Sequence, residues 1–197
     1  MYRLFVGLEL TPAQQSALVH VRGGVEGAHW QCDEQLHLTL AFIGEASPSQ
    51  MRSIEGALAG VDFMPFDMTL LDVGMFGMFD MPRTLWAGVA DKDPIIHLHD
   101  KILNAVERTG LAVDRRRYKP HVTLARFNRG VYARIGSWLA ENSTLKSHTE
   151  TVQHFTLFSS HRTKDGPIYT VEARFGLPSF EYAEEEFSEA YSAASPP

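Results

Sequence analysis

Apolar and polar positions alternate in several short stretches of this chain, and apolar residues recur at helical spacing in the stretches between them. "LFVGLEL" at 4–10 and "LWAGVAD" at 85–91 are strand candidates, each centred on a glycine, Gly7 or Gly88. A helical pattern follows each. The first opens on Thr11-Pro12-Ala13-Gln14, with a hydroxyl to cap, a proline at the first helical position and a glutamine at the third. The second opens on Asp93-Pro94, carries Ile95, Leu98, Ile102, Leu103 and Val106 at helical spacing, and stops at Gly110. Next comes "HLTLAFI" at 37–43 in one copy and "HVTLARF" at 121–127 in the other, identical at four of seven positions. One more helix is predicted from near Pro48 and another from Val131 to Ala140. Strands near 66–73 and 85–90 follow the first, and strands near 151–158 and 168–175 follow the second.

An order of elements written twice predicts an α+β protein of two pseudo-symmetric lobes. Each lobe is expected to be a small, mainly antiparallel sheet with outer helices, and the histidine strands to face each other across a cleft. Residues 1–178 would form this single bilobal domain. From Ser179 onward the chain reads "SFEYAEEEFSEAYSAASPP", with five Glu and no Lys or Arg, which predicts a mobile acidic tail over 179–197. That tail carries most of the formal charge of −6 and leaves the body near neutral.

Composition narrows the class further. No apolar run approaches the roughly 20 residues that span a bilayer, and the N-terminus lacks the pattern of a signal peptide. Cys32 is the only cysteine, so no intrachain disulfide can form and a reducing cytoplasm is expected; a lone cysteine is expected to be inert and buried. Between Arg115 and Arg134 lie seven basic residues and no acid, with His121 among them. A patch of that size suits a phosphate-bearing ligand and is too small for tight binding of long duplexes.

His-x-Thr occurs four times, at His37, His121, His154 and His161, where chance predicts roughly half a match. Strict alternation puts His37, Thr39, Ala41 and Ile43 on one strand face, and His121, Thr123, Ala125 and Phe127 on another. The alanines would leave room for a ligand beside each polar pair. "HFTLFSS" has Phe158 there instead, and "HRTKDG" runs into a turn, so His154 and His161 are expected to be bystanders. Two imidazoles on opposite sides of a cleft suit in-line displacement at phosphorus. One takes the nucleophile's proton and the other protonates the leaving oxygen, while hydroxyls hold the non-bridging oxygens. No metal or cofactor is required, and two histidines without Asp, Glu or Cys at ligand spacing make a poor zinc site.

The paired "HLTL" and "HVTLAR", 84 residues apart, resemble the two-histidine (2H) phosphoesterases, and more narrowly the RNA 2′,3′-cyclic phosphodiesterases, also called 2′-5′ RNA ligases. "RLFVGLEL" and "PRTLWAGV" at 82–89 share in the resemblance, which covers most of 1–178. It implies metal-free hydrolysis of a terminal 2′,3′-cyclic phosphate to a 2′-phosphate, with weak reverse ligation. It also implies His37 as proton donor, His121 as proton acceptor, and Thr39, Thr123 and Arg126 as phosphate contacts. Arg126 conflicts with strict alternation, which turns it away from His121 unless a bulge intervenes. The partner implied is an RNA or oligonucleotide with a cyclic phosphate end, acted on by a monomer. The alternatives are another small phosphodiester, such as a cyclic ADP-ribose phosphate or a 2′-5′ oligonucleotide, and a module that binds RNA ends without turnover. His97 and His99, two apart on a helix, are expected in solvent. Arg115 to Arg117 read as a solvated turn, and Gly74 to Met81 as an apolar flexible loop that could wall in a nucleobase.

Overall fold

The computed structural model describes residues 1–163 and 166–176. The acidic stretch 179–197 lies outside the described residues. Nine strands form one antiparallel sheet: β1 (Tyr2–Glu9), β2 (His29–Trp30), β3 (His37–Ala46), β4 (Phe66–Gly77), β5 (Pro82–Val89), β6 (Val122–Arg126), β7 (Lys146–Val152), β8 (His154–Thr163) and β9 (Gly166–Gly176). Among them run helices α1 (Pro12–Val19), α2 (Pro48–Ala59), α3 (Asp93–Glu107) and α4 (Gly136–Glu141).

The strand order is β7-β4-β5-β6-β3-β1-β8-β9, with β2 beside β6. The two expected lobes are the halves β3-β1-β8-β9 and β6-β5-β4-β7, joined edge to edge into one sheet. They meet where Leu38 pairs with Val122. Each half takes strands from both copies of the repeat. β4 follows the first histidine strand yet pairs with β5, and β8 follows the second yet pairs with β1. This exchange ties the two copies together.

Local signals explain where the helices begin. The Gln14 amide donates to Thr11 Oγ1 at 3.3 Å while the Thr11 amide donates to Gln14 Oε1 at 3.3 Å. Ser47 and Gln50 repeat this reciprocal cap at α2. α3 is capped from Asp91, whose Oδ1 accepts from the Asp93 amide at 3.1 Å, and ends before Gly110, where φ is +85°. The helix expected over 131–140 is shorter than its pattern. The Ala133 amide donates to the Asp80 carbonyl at 3.1 Å, which holds 131–135 against the β4–β5 turn until Gly136.

Residues 74–77, expected in a loop, instead extend β4 into a hairpin with β5, closed by reciprocal hydrogen bonds between Met78 and Met81. Gly74 permits this because the Trp86 ring lies where its Cβ would be. On one face of the sheet, α2 and α3 pack against β3. Leu38, Leu40, Val122 and Leu124 are at most 1% exposed on that side. Each such burial is worth about 1.5–3 kcal/mol. A one-residue slip would forfeit the whole set, so the register of the two histidine strands is firmly held.

Candidate active site

Alternation fails at the same place in both histidine strands. Across from β1, Gly7 faces Thr39 and Val6 faces Ala41, so Leu40 is one residue extra. Across from β5, Trp86 faces Thr123 and Leu85 faces Ala125, so Leu124 is extra. Each bulge swaps the faces of the residues beyond it. Ala41 and Ala125, expected beside the polar pairs, are therefore turned into the core at 4% and 0% exposure. Ile43 and Phe127 pack against the core as well. Phe42 and Arg126 take the vacated places on the cleft side. Arg126 lines the same cavity as His37, and its charge acts on both His37 and His121.

The junction pair fixes the rest. Leu38 and Val122 point into the core, so the residues on either side of them, His37, Thr39, His121 and Thr123, point the other way. Continued one step, the antiparallel register sets His37 across from Thr123 and His121 across from Thr39. All four motif residues thus meet about one pseudo-two-fold axis.

Both imidazoles are held in the same tautomer. His37 Nδ1 lies 2.8 Å from the Gln35 carbonyl and His121 Nδ1 lies 2.7 Å from the Lys119 carbonyl. A carbonyl only accepts, so each Nδ1 carries hydrogen and each Nε2 is left for chemistry. In the neutral ring Nε2 accepts, and the Thr39 hydroxyl donates to His37 Nε2 at 2.9 Å. Gln35 is itself tied down: its Nε2 donates to the Pro167 carbonyl at 3.0 Å and its Oε1 accepts from the Cys32 amide at 3.2 Å. Gly7 leaves space on β1, since a Cβ there would sit 3.4 Å from the His37 ring and 3.0 Å from the Leu38 carbonyl.

Burial is the main electrostatic influence on both rings. It pushes His37 down to about 4; the Gln35 carbonyl opposes this, and the charges of Arg126 and His121 add to it. His121 is lowered too, first by burial and then by Arg126 and Lys119, against the pull of the Lys119 carbonyl. Two imidazoles that sense each other titrate as a pair. An anion between them would offset both burial and Arg126, and would restore a proton to one Nε2.

Aromatic rings frame each imidazole. His37 has Phe5 at 4.8 Å and an edge contact with Tyr169 at 5.1 Å. His121 has Phe76 edge-on at 4.9 Å and Trp86 at 6.4 Å. Lys119 lies over Trp86, its Nζ 4.0 Å from the ring centroid. Of the residues read as a loop, Phe76 therefore reaches the site. Phe42, 62% exposed, stands between the cavities on either side of β3.

Behind the site, the bulge carbonyls are caught from two elements. The Tyr118 hydroxyl donates to the Thr39 carbonyl at 2.8 Å, and His99 Nδ1 donates to the Leu40 carbonyl at 2.6 Å. The two rings stack at 3.9 Å. His99 is thus buried at 7% exposure, not in solvent as expected, because it faces β3 while His97 faces out. Cys32, expected buried, is exposed. Arg115 and Arg116 pair with Glu107 and Asp114 on the surface.

The third His-x-Thr serves packing. Glu9 accepts from His154 Nε2 at 3.2 Å, Thr156 Oγ1 at 2.8 Å, and Arg174 Nε and Nη2 at 2.7 and 2.9 Å. Arg174 foremost, then His154, holds the Glu9 carboxyl far below the usual carboxylate range. His161 is exposed on β8, paired with Ile168 of β9. Among the described residues, no three His, Cys, Asp or Glu side chains converge as metal ligands would, and no helix is long and apolar enough to cross a membrane.

The model of the 2′-5′ RNA ligase superfamily matches residues 12–164. The RNA 2′,3′-cyclic phosphodiesterase of Aeropyrum pernix is 32% identical over 140 residues, 70% of this chain and 79% of that one. The protein of the same name from Archaeoglobus fulgidus is 28% identical over 85% of this chain and 96% of its own. A Geobacillus stearothermophilus relative with that name is 31% identical over 62% of this chain, and the match spans only 41% of the relative. Among solved structures, a Thermus thermophilus protein superposes with a TM-score of 0.73 at 25% identity, covering 89% of this chain and 97% of that one.

Proposed function

Because this chain belongs to the 2′-5′ RNA ligase superfamily, we propose that it opens the terminal 2′,3′-cyclic phosphate of an RNA to leave a 2′-phosphate, with His37 and His121 as the acid and base. The observation that supports this most is the pairing at Leu38 and Val122, which gives each imidazole the other strand's threonine as its neighbour. A cyclic phosphate seated there meets Nε2 of one ring on each side. His121 Nε2 takes a proton from water as its oxygen attacks phosphorus. The bond from phosphorus to O3′ breaks, and His37 Nε2–H protonates O3′. Thr39, Thr123 and Arg126 hold the non-bridging oxygens as charge gathers on them. Burial keeps His37 neutral near pH 7, so the acid is armed by the substrate's own charge. With a 5′-hydroxyl in place of water as the nucleophile, the same steps join a cyclic end to it through a 2′-5′ linkage, a weak ligation.

The lone Cys32, free and exposed, suits a reducing compartment, and we place the enzyme in the cytoplasm as a monomer. The test is the end produced from a short RNA with a 2′,3′-cyclic phosphate, incubated with excess chelator. A 2′-phosphate is expected. A cyclic end that is bound but persists would make the chain an RNA-end-binding module, and preferential cleavage of a cyclic ADP-ribose phosphate or a 2′-5′ linkage would change the substrate class.

A further inference from the structure

A cavity of about 520 Å³ adjoins His37 on the side away from His121's basic loop, walled by Arg3, Phe42, Arg126, Ser160, Arg162 and Tyr169. Several arginines elsewhere in the molecule are matched: Arg22 with Asp33, Arg115 with Glu107, Arg116 with Asp114 and Arg174 with Glu9. Arg3, Arg126 and Arg162 form no ion pair with an acid among the described residues. Glu45, across from Arg3 in β3, does not pair with it either. Three guanidiniums thus border one cavity with no carboxylate at ion-pair distance among the described residues. They also share a face. Arg3 lies two residues from Phe5 on β1, and Arg162 lies two from Ser160 and four from Phe158 on β8, with Phe5 and Phe158 stacked beside His37. Arg3 and Arg126 both act on the Tyr169 hydroxyl.

Arg126 serves the reacting phosphate under the function proposed above; Arg3 and Arg162 are not needed there. We propose that Arg3 and Arg162 form a second anion subsite, which holds the 5′-linked phosphate of the terminal nucleotide while the cyclic phosphate sits between the histidines. Residues two apart on a strand are about 7 Å apart, and Phe5 lies 4.8 Å from His37, so the two anions are separated by the span of one sugar. This inference rests on the cyclic phosphodiesterase reading and adds what that reading leaves open: the substrate carries a second phosphate. Guanidinium forks suit either a phosphodiester within an RNA or a terminal monoester.

Binding tests it without turnover. Titration calorimetry with adenosine 2′-monophosphate and adenosine 2′,5′-bisphosphate should give about tenfold tighter binding of the bisphosphate, the size of one good charged contact. Arg3→Gln with Arg162→Gln should erase that difference and leave affinity for the monophosphate unchanged. Equal affinities in the wild type, or equal loss for both ligands in the variant, overturn the subsite. Turnover then identifies the source. A dinucleotide with a cyclic end should have a KM about tenfold below its methylphosphonate analogue if the diester is read, whereas an advantage confined to a nucleoside cyclic phosphate with a free 5′-phosphate would mark a monoester site. If the bisphosphate is preferred but no cyclic phosphate is opened, the subsite stands and the catalytic reading falls.

Discussion

Acid should expose the burial of His37 as a loss of stability. The ring's ordinary value of 6.5 is pushed to about 4 in the folded chain, chiefly by burial. The unfolded chain therefore takes up a proton near pH 6.5 and the folded chain only near pH 4. Stability is complete above the first value and falls as pH drops through that window. The slope approaches 1.36 kcal/mol per pH unit, so about 2 kcal/mol is lost between pH 7 and pH 5. His37→Asn keeps a donor near the Gln35 carbonyl and removes the titration. Urea unfolding followed by tryptophan fluorescence at both pH values should show the wild type losing about 2 kcal/mol more than the variant. His121 is lowered chiefly by burial, with Arg126 and Lys119 as the charges acting on it, so its own loss is present in both proteins. Glu9, depressed by Arg174 from an ordinary 4.5, loses its contribution mainly below that value, outside the measured range of pH 7 to pH 5, and is present in both proteins. Equal losses in the two proteins would refute the burial of His37 as the cause.

Arg126→Gln removes a positive charge that lowers both histidines, so the alkaline limb of kcat/KM should move to higher pH while the rate at the optimum falls at least about tenfold; an unmoved limb would mean Arg126 does not act on them. Phe42→Ala should leave thermal stability within about 0.5 kcal/mol, since the ring is exposed. Its KM for a nucleoside cyclic phosphate should rise about tenfold if a base stacks there, and an unchanged KM counts against stacking. Gly74→Ala should cost about 1–3 kcal/mol in thermal unfolding, because its Cβ collides with the Trp86 ring. Chemical denaturation with no such loss would show that the ring has room to move.

The repeat made the architecture legible. Apolar spacing located β1, β3, β5, β6 and α1 to α3, because each keeps one period over several residues, before the bulge in the case of β3 and β6. The four motif residues were legible too, since the junction pair leaves the first three positions of each strand in plain alternation. Past Thr39 and Thr123 the pattern misleads. A bulge is one residue of slack set by pairing with β1 or β5, so its effect depends on partners distant in sequence. For this reason Ala41 was expected where Phe42 stands. His99 failed for a related reason: helical spacing showed that His97 and His99 diverge, but not which of them meets the Leu40 carbonyl freed by the bulge. Gly74 read as loop because its small size answers to Trp86, twelve positions later. Exchange of β4 and β8 between the halves leaves no local mark at all.

The central claim is that two imidazoles act as one acid–base unit, and single-turnover rates test it most directly. The substrate is an RNA with a 2′,3′-cyclic end, and the proteins are the wild type, His37→Ala, His121→Ala and the double variant, each with chelator present. Each single variant should lose about 10²- to 10⁴-fold, and the double variant should lose little more than either one. Losses that multiply in the double variant, or a single variant within a few-fold of the wild type, would contradict the pair.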